Sequence, residues 1–308
     1  MARRRTGRPV SGWIVLDKPA GLTSTQALGR VRRVLEPQKI GHGGTLDPLA
    51  TGVLPIALGE ATKTMAYALE GRKRYRFTLR WGRATSTDDA EGETLCESDV
   101  IPDRAAILAV LPRFTGEILQ VPPRVSALKV DGRRAYDRAR AREDFELAER
   151  RVEIDELELT GQPSPEEATF AVACGKGTYM RALARDLGEA LGTCAHVIAL
   201  RRTAVGPFTE NDAISLESLE ALGHSAAASQ ALLPVETALD DIPALALTES
   251  EAKRLRCGQP VSMLARANRE RIRDFDNGAV VFTTSGGKPV ALARYEAGDI
   301  HPLRVLNL

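Results

Sequence analysis

The sequence predicts an α+β fold, a mainly antiparallel mixed sheet with flanking helices, followed by a small β-rich module. Three observations carry this expectation. Polar and apolar residues alternate from Arg72 to Trp81, which puts Tyr75, Phe77, Leu79 and Trp81 on one face of a half-buried strand. Val152 to Leu159 alternates again, Ala168 to Cys174 follows as a further strand, and helical patterns intervene between such segments. Beyond residue 244, short apolar runs are punctuated by Gly278 and Gly286-Gly287, the pattern of a compact β module.

The elements follow in chain order. Gly12 to Leu16 is a short buried strand, and Asp17 to Gly21 is a turn. Thr23 or Ser24 caps a helix whose apolar positions 27, 28, 31, 34 and 35 have helical spacing. Lys39-Ile40 opens an extended piece, and Val53 to Leu58 is strand-like. Glu60 to Leu69 is expected to be a helix with Met65, Ala66 and Leu69 inward, and Pro102 to Leu111 another. Arg133 to Arg142 is a basic helix, Thr178 to Leu191 an amphipathic one, and His196 to Leu200 a strand. Residues 207–245 are acidic, alanine-rich and leucine-rich, and predicted to be helical with loops. In the final module a helix over Thr248 to Arg256 precedes strands near 260–264, 271–275, 279–284, 289–295 and 303–306.

With 308 residues, 43% of them hydrophobic and 27% charged, the chain has the composition of a globular protein of about two domains. No apolar run reaches the roughly 18 residues of a membrane span, and no signal-peptide core follows the basic N-terminus, so no membrane and a cytoplasmic location are expected. Cys96, Cys174, Cys194 and Cys257, like the four histidines, lack metal-ligand spacing, so no metal site is expected. Net charge is only +1, but it is unevenly spread. Residues 1–40 hold nine Lys/Arg against two acids, residues 124–142 hold seven against two, and residues 203–252 hold none. Such segregation fits one polyanion-facing side, or equally the solvated faces of helices.

One loop stands out. Gly41-His42-Gly43-Gly44-Thr45-Leu46-Asp47-Pro48-Leu49-Ala50-Thr51-Gly52 surrounds a single carboxylate with four glycines and a proline. Glycine frees the backbone and admits close approach of another molecule, and proline stiffens the turn. Asp47 is therefore presented to something.

Several segments then converge on one pattern. GHGGTLDPLATGVLPIALGEATK (41–63), DKPAGLTS (17–24), RYRFTLRWG (74–82), TSTDDAEG (85–92), SALKVDGRRAY (126–136) and CGKGTYMRALARDLGEALG (174–192) occur in order. Together they closely resemble the bacterial TruB family of tRNA pseudouridine-55 synthases, nearly end to end. The resemblance implies a pseudouridine synthase sheet in a catalytic domain over residues 1–243 and a PUA-like RNA-binding domain over 244–308. It implies isomerisation of one uridine in the T arm of tRNA, at position 55. The uracil is flipped out, detached, rotated and rejoined to the ribose through C5, with no cofactor and no metal.

The resemblance also implies site residues. Asp47 is the catalytic carboxylate and Arg181 its cationic partner, since a guanidinium is always charged and can grip a carboxylate. Tyr75 stacks on the flipped base and helps to move the C5 proton. Tyr179 and Leu200 line the pocket, His42 packs against displaced nucleotides, and Asp89 and Lys63 lie near the RNA or support the site. Lys18-Pro19 shores up the Asp47 loop. A core position is the bland alternative for Tyr75 and Leu200, and a surface charge for Arg181. The partner implied is tRNA, with no protein partner required and a monomer expected. Two other readings remain, a guide-RNA-dependent synthase and a tRNA-folding chaperone whose catalysis is incidental.

Overall fold

The computed structural model describes residues 7–126, 128–130, 132–141 and 143–308. Its centre is a ten-stranded mixed sheet. The strands run in the order Ala213–Ser215, Gly12–Lys18, Thr51–Leu58, Ala195–Val205, Lys73–Trp81, Glu167–Cys174, Arg150–Ser164 and Gly116–Gln120. Ile40–His42 joins Thr51–Leu58, and Phe208–Thr209 joins Ala195–Val205. Two pairings are parallel, Ala213–Ser215 on Gly12–Lys18 and Thr51–Leu58 on Ala195–Val205. The others in this sheet are antiparallel.

The residue pattern explains where each strand lies. Gly12–Lys18 is apolar without alternation because both of its faces are covered. Ile14 and Leu16 join the core under the helices, while Trp13 and Val15 join a second core on the opposite face. Lys73–Trp81 alternates because only one side is deeply buried. Phe77 sits directly opposite Phe170, and the two rings stack with centroids 5.3 Å apart, a contact worth about 0.5–1.5 kcal/mol beyond burial.

Two helices pack on that face. Ser24–Leu35 begins at Thr23, whose hydroxyl caps Gln26 in a reciprocal capping box, and it buries Ala27, Val31, Val34 and Leu35. Met180–Ala190 buries Leu183, Ala184 and Leu187. The predicted helix over 60–69 is broken instead. A short 3-10 turn, Gly59–Lys63, ends at Thr64, and a helix Met65–Glu70 follows. Ala61, Thr64 and Ala68 are its buried residues while Ala66 is exposed, because the break resets the helical phase. The predicted basic helix spans Ala135–Arg140, and Arg142 lies outside the described residues. Residues 207–245 include strand Ala213–Ser215 at the sheet edge as well as short helices.

The C-terminal module is a five-stranded sheet in the order Ala244–Ala246, Val280–Ser285, Lys288–Glu296, Asp299–Val305 and Val261–Ser262. Alternation along its strands serves two cores. Val281, Ala291 and Ala293 pack with Ala252 and Leu255 of helix Glu249–Arg256, while Phe282 and Leu292 join Trp13 and Phe208 in the main body. The strand expected at 271–275 is absent. Arg271 spans Glu251 and the Ala246 carbonyl there, which fixes a turn across the end of the helix.

Candidate active site

Asp47 lies on the loop between strands Ile40–His42 and Thr51–Leu58, and the loop is held at several points by buried partners. Ser24 Oγ accepts from Leu46 N (2.8 Å) and donates to Leu46 O (3.1 Å). The fully buried Lys18 ammonium donates to the carbonyls of Pro19 (2.8 Å) and Leu22 (2.7 Å) and reaches Pro48 O (3.4 Å). Gly21 N also donates to Pro48 O (2.8 Å), and Ala50 N to Asp47 O (3.1 Å). The residues before and after the acid are thus fixed independently, so the direction of its side chain is fixed as well.

The carboxylate opens into a cleft of about 400 Å³. Gly44 to Asp47, Lys73, Tyr75, Arg150, the stretch Gly175 to Arg181, Leu200 and Arg202 are among its walls. Arg181 approaches from the first turn of helix Met180–Ala190, with Nε 2.9 Å from Asp47 Oδ2. Its side chain is 4% exposed, whereas that of Asp47 is 34% exposed. Arg181 has other fixed partners. Nη1 donates to Thr87 O (3.0 Å) and lies 3.4 Å from Asp89 Oδ2, and Nη2 donates to Val125 O (3.0 Å). Asp89 in turn accepts from Thr87 Oγ1 and from Glu91 N (3.1 Å). The guanidinium is locked from three sides, with one edge left for Asp47.

Burial pushes the Asp47 carboxyl above the usual range, and the nearby Asp89 adds to this. The Arg181 guanidinium and the Lys18 ammonium oppose it. Burial likewise lowers Lys18 to about 8, with Asp47 opposing. Ionised Asp47 therefore depends on these cations.

The structure brings five of the predicted residues to this cleft or its rim: Asp47, Tyr75, Tyr179, Arg181 and Leu200. Burial raises the pKa of the Tyr75 phenol, which keeps its proton and makes it a poor base. Tyr179 stands at the N-cap of the Arg181 helix, where the Gln120 side-chain amide accepts from Tyr179 N (2.8 Å) and donates to Tyr179 O (3.1 Å). Asp89 sits behind Arg181 rather than in the cleft wall. His42 is on the strand leading into the loop. Burial lowers its pKa, so the imidazole is neutral at neutral pH and suits packing better than phosphate pairing.

Lys63 is placed differently. Its ammonium pairs with Glu60 and donates to Val305 O (2.6 Å), tying the main body to the C-terminal module, and it does not line the cleft. Gln120 and Arg202 were not foreseen. Arg202 had a signal, since it lies two residues beyond Leu200 on one strand and so faces the same side. Gln120, at the end of an edge strand, had none.

Among solved structures, the chain superposes on one titled "Structure of H/ACA RNP bound to a substrate RNA containing 2'-deoxyuridine". The TM-score is 0.73 at 24% identity, covering 100% of this chain and 92% of that one. It also superposes on a chain of a Cbf5-Nop10-Gar1 complex with TM-score 0.72 at 26% identity, covering 96% and 85%. A family model described as TruB family pseudouridylate synthase (N terminal domain) matches residues 32–180, and one described as tRNA pseudouridylate synthase B C-terminal domain matches 181–240. Fold and family models together are those of an RNA pseudouridine synthase. Proteins named tRNA pseudouridine synthase B are 54% identical over 100% of both chains in Rhodospirillum rubrum and in Caulobacter vibrioides. The chain belongs to the TruB family.

The charge balance of the cleft yields a titration prediction. Asp47 should lose its charge at a pH above the ordinary aspartate value of about 3.9. In Arg181→Met, where the main opposing cation is gone, the midpoint should move higher still. Carboxyl-carbon NMR titration of the two proteins checks this, and an unchanged or lower midpoint in the variant counts against it.

Proposed function

We propose that this protein isomerises the uridine at position 55, in the T arm of tRNA, to pseudouridine as a stand-alone, monomeric enzyme. The observation that carries this reading is the Asp47–Arg181 pair at the wall of an open cleft, in a chain whose full-length relatives are named tRNA pseudouridine synthase B. The guide-RNA-dependent alternative has less support, because the H/ACA likenesses lie at 24–26% identity against 54% for the bacterial relatives.

The residues support a division of labour. Asp47, held ionised by Arg181, serves as the carboxylate that attacks or stabilises the reacting nucleoside. Tyr75 stacks on the flipped uracil, its protonated phenol making it a platform and hydrogen-bond donor. Tyr179 and Leu200 close the pocket around the base, and His42 packs against displaced nucleotides. Asp89 acts through Arg181 by holding its far side. Lys63 acts at a distance, through its hold on the C-terminal module.

The chain is read as a catalytic domain over 1–243 and an RNA-gripping domain over 244–308. Exposed Lys253, Arg254 and Arg256 on one helix support the second assignment, with Lys288 beside Lys253 and Arg256 around the same surface hollow. Arg271 is spent on Glu251 and is not offered to RNA. No helix among the described residues is long and apolar enough to cross a membrane, and a cytoplasmic site of action agrees with a tRNA substrate.

The decisive comparison is Asp47→Asn against wild type on unmodified tRNA transcript, with no guide RNA or protein added. The variant should bind tRNA within a few-fold of wild type and form no pseudouridine by chemical mapping. Pseudouridine at a comparable rate would remove Asp47 from the mechanism, and a wild type inactive without added guide RNA would favour the ribonucleoprotein reading.

A further inference from the structure

Arg202 is 2% exposed, yet among the described residues it forms no ion pair. A guanidinium buried without a counter-ion is costly unless its donors are satisfied. Here backbone carbonyls accept them: Val53 O from Nε (2.8 Å), Gly44 O from Nη2 (3.1 Å) and Thr45 O from Nη1 (3.5 Å). These carbonyls flank the Asp47 loop, two just before Leu46-Asp47 and one just after Gly52.

Two loop glycines are shaped around the same residue. Gly44 has φ +100°, and a Cβ there would stand 3.3 Å from Arg202 Nη1. Gly52 has φ +98°, and a Cβ there would stand 2.2 Å from the Arg202 carbonyl oxygen. Across the sheet, Arg202 is the register partner of Tyr75, so the two side chains are neighbours on one face. Both line the cleft.

We propose that Arg202 is a positioning residue, the internal template on which the Asp47 loop folds and which holds Asp47 and Tyr75 in fixed relation across the cleft. The inference rests on the reading of Asp47 as the reacting carboxylate. Lysine carries the charge but cannot reach carbonyls on both sides of the loop as a planar fork does.

Arg202→Met and Arg202→Lys are compared with wild type for unfolding midpoint, tRNA affinity and single-turnover pseudouridine formation. Misplacing reacting groups by about an ångström costs on the order of 100-fold in rate. Arg202→Met should show a loss of about that size, with tRNA affinity within about threefold and cooperative unfolding kept; Arg202→Lys should recover part of the rate. Should the Met variant not fold, the Lys variant decides by the same split between rate and affinity. Equal losses of rate and affinity would make Arg202 an RNA contact, and a wild-type rate in a folded Met variant would overturn the proposal. Asp47→Asn measured alongside separates the failures: an active Asp47→Asn removes the underlying reading, whereas an inactive one beside a fully active Arg202→Met removes only this proposal.

A different observation carries a second inference. Cys96, exposed on strand Thr94–Glu97, has its sulfur 2.9 Å from that of Cys194, which precedes strand Ala195–Val205. The hairpin bearing Cys96 also bears Asp88 and Asp89, which pair with Arg185 and Arg181. We infer that the two thiols are a site of peroxide-driven disulfide formation that staples this hairpin to the central sheet. The Cys96 thiol gives up its proton and its sulfur attacks a peroxide oxygen, breaking the O–O bond; the leaving hydroxide takes up that proton, giving a sulfenic acid and water. Cys194 then attacks the Cys96 sulfur and expels a second water, so two thiols and one hydrogen peroxide become one disulfide and two waters. Cys96 is the first to react because it is the exposed thiol of the two, while Cys194 is partly covered.

Full-length protein treated with equimolar hydrogen peroxide should lose two hydrogens in mass, yield a Cys96–Cys194 linked peptide, and melt roughly 5 °C higher, reverting on reduction. Cys96→Ser should show none of these changes. Oxygen added at Cys96 with Cys194 still open to alkylation would overturn the inference.

Discussion

The ion pair between Asp47 and Arg181 is the constraint around which the cleft is built. A carboxylate drawn out of water tends toward its neutral form, and the neutral acid can neither attack nor stabilise a cationic sugar. Arg181 opposes that tendency, and it can do so because it is itself immobilised by Thr87, Val125 and Asp89. Removing Arg181 would leave Asp47 at the cleft wall with Lys18 as its remaining cation. The chemistry thus depends on the pair, which explains why so much of the surrounding structure serves to hold two side chains.

That service comes from distant parts of the chain. The Ser24 helix, the Lys18 strand end and the Arg202 strand brace the acid loop, while the 85–92 turn and the Gln120 edge strand brace the helix carrying Arg181. These segments meet because the mixed sheet inserts Ala195–Val205 between Thr51–Leu58 and Lys73–Trp81. Asp47, Arg202 and Tyr75 are thereby delivered from three sheet positions to one wall.

Much of this was legible in the sequence, for identifiable reasons. Period-two alternation exposed the central strands, and Thr23-Ser24 ahead of helically spaced apolar residues marked a helix start. The glycine-rich loop marked Asp47. Local patterns failed where tertiary contacts decide. The helix over 60–69 breaks at Thr64, residues 271–275 turn because Arg271 reaches Glu251, and Lys63 faces the C-terminal module because Val305 ends beside it. Gln120 was invisible because its role depends on a partner 59 residues away in sequence.

If Arg181 serves the carboxylate and not the RNA backbone, its removal should fall on the chemistry. The most direct measurement is single-turnover pseudouridine formation and tRNA affinity for Arg181→Met beside wild type. The chemical step should collapse with affinity nearly preserved. Equal losses in rate and affinity would make Arg181 a phosphate contact and contradict its service to the carboxylate.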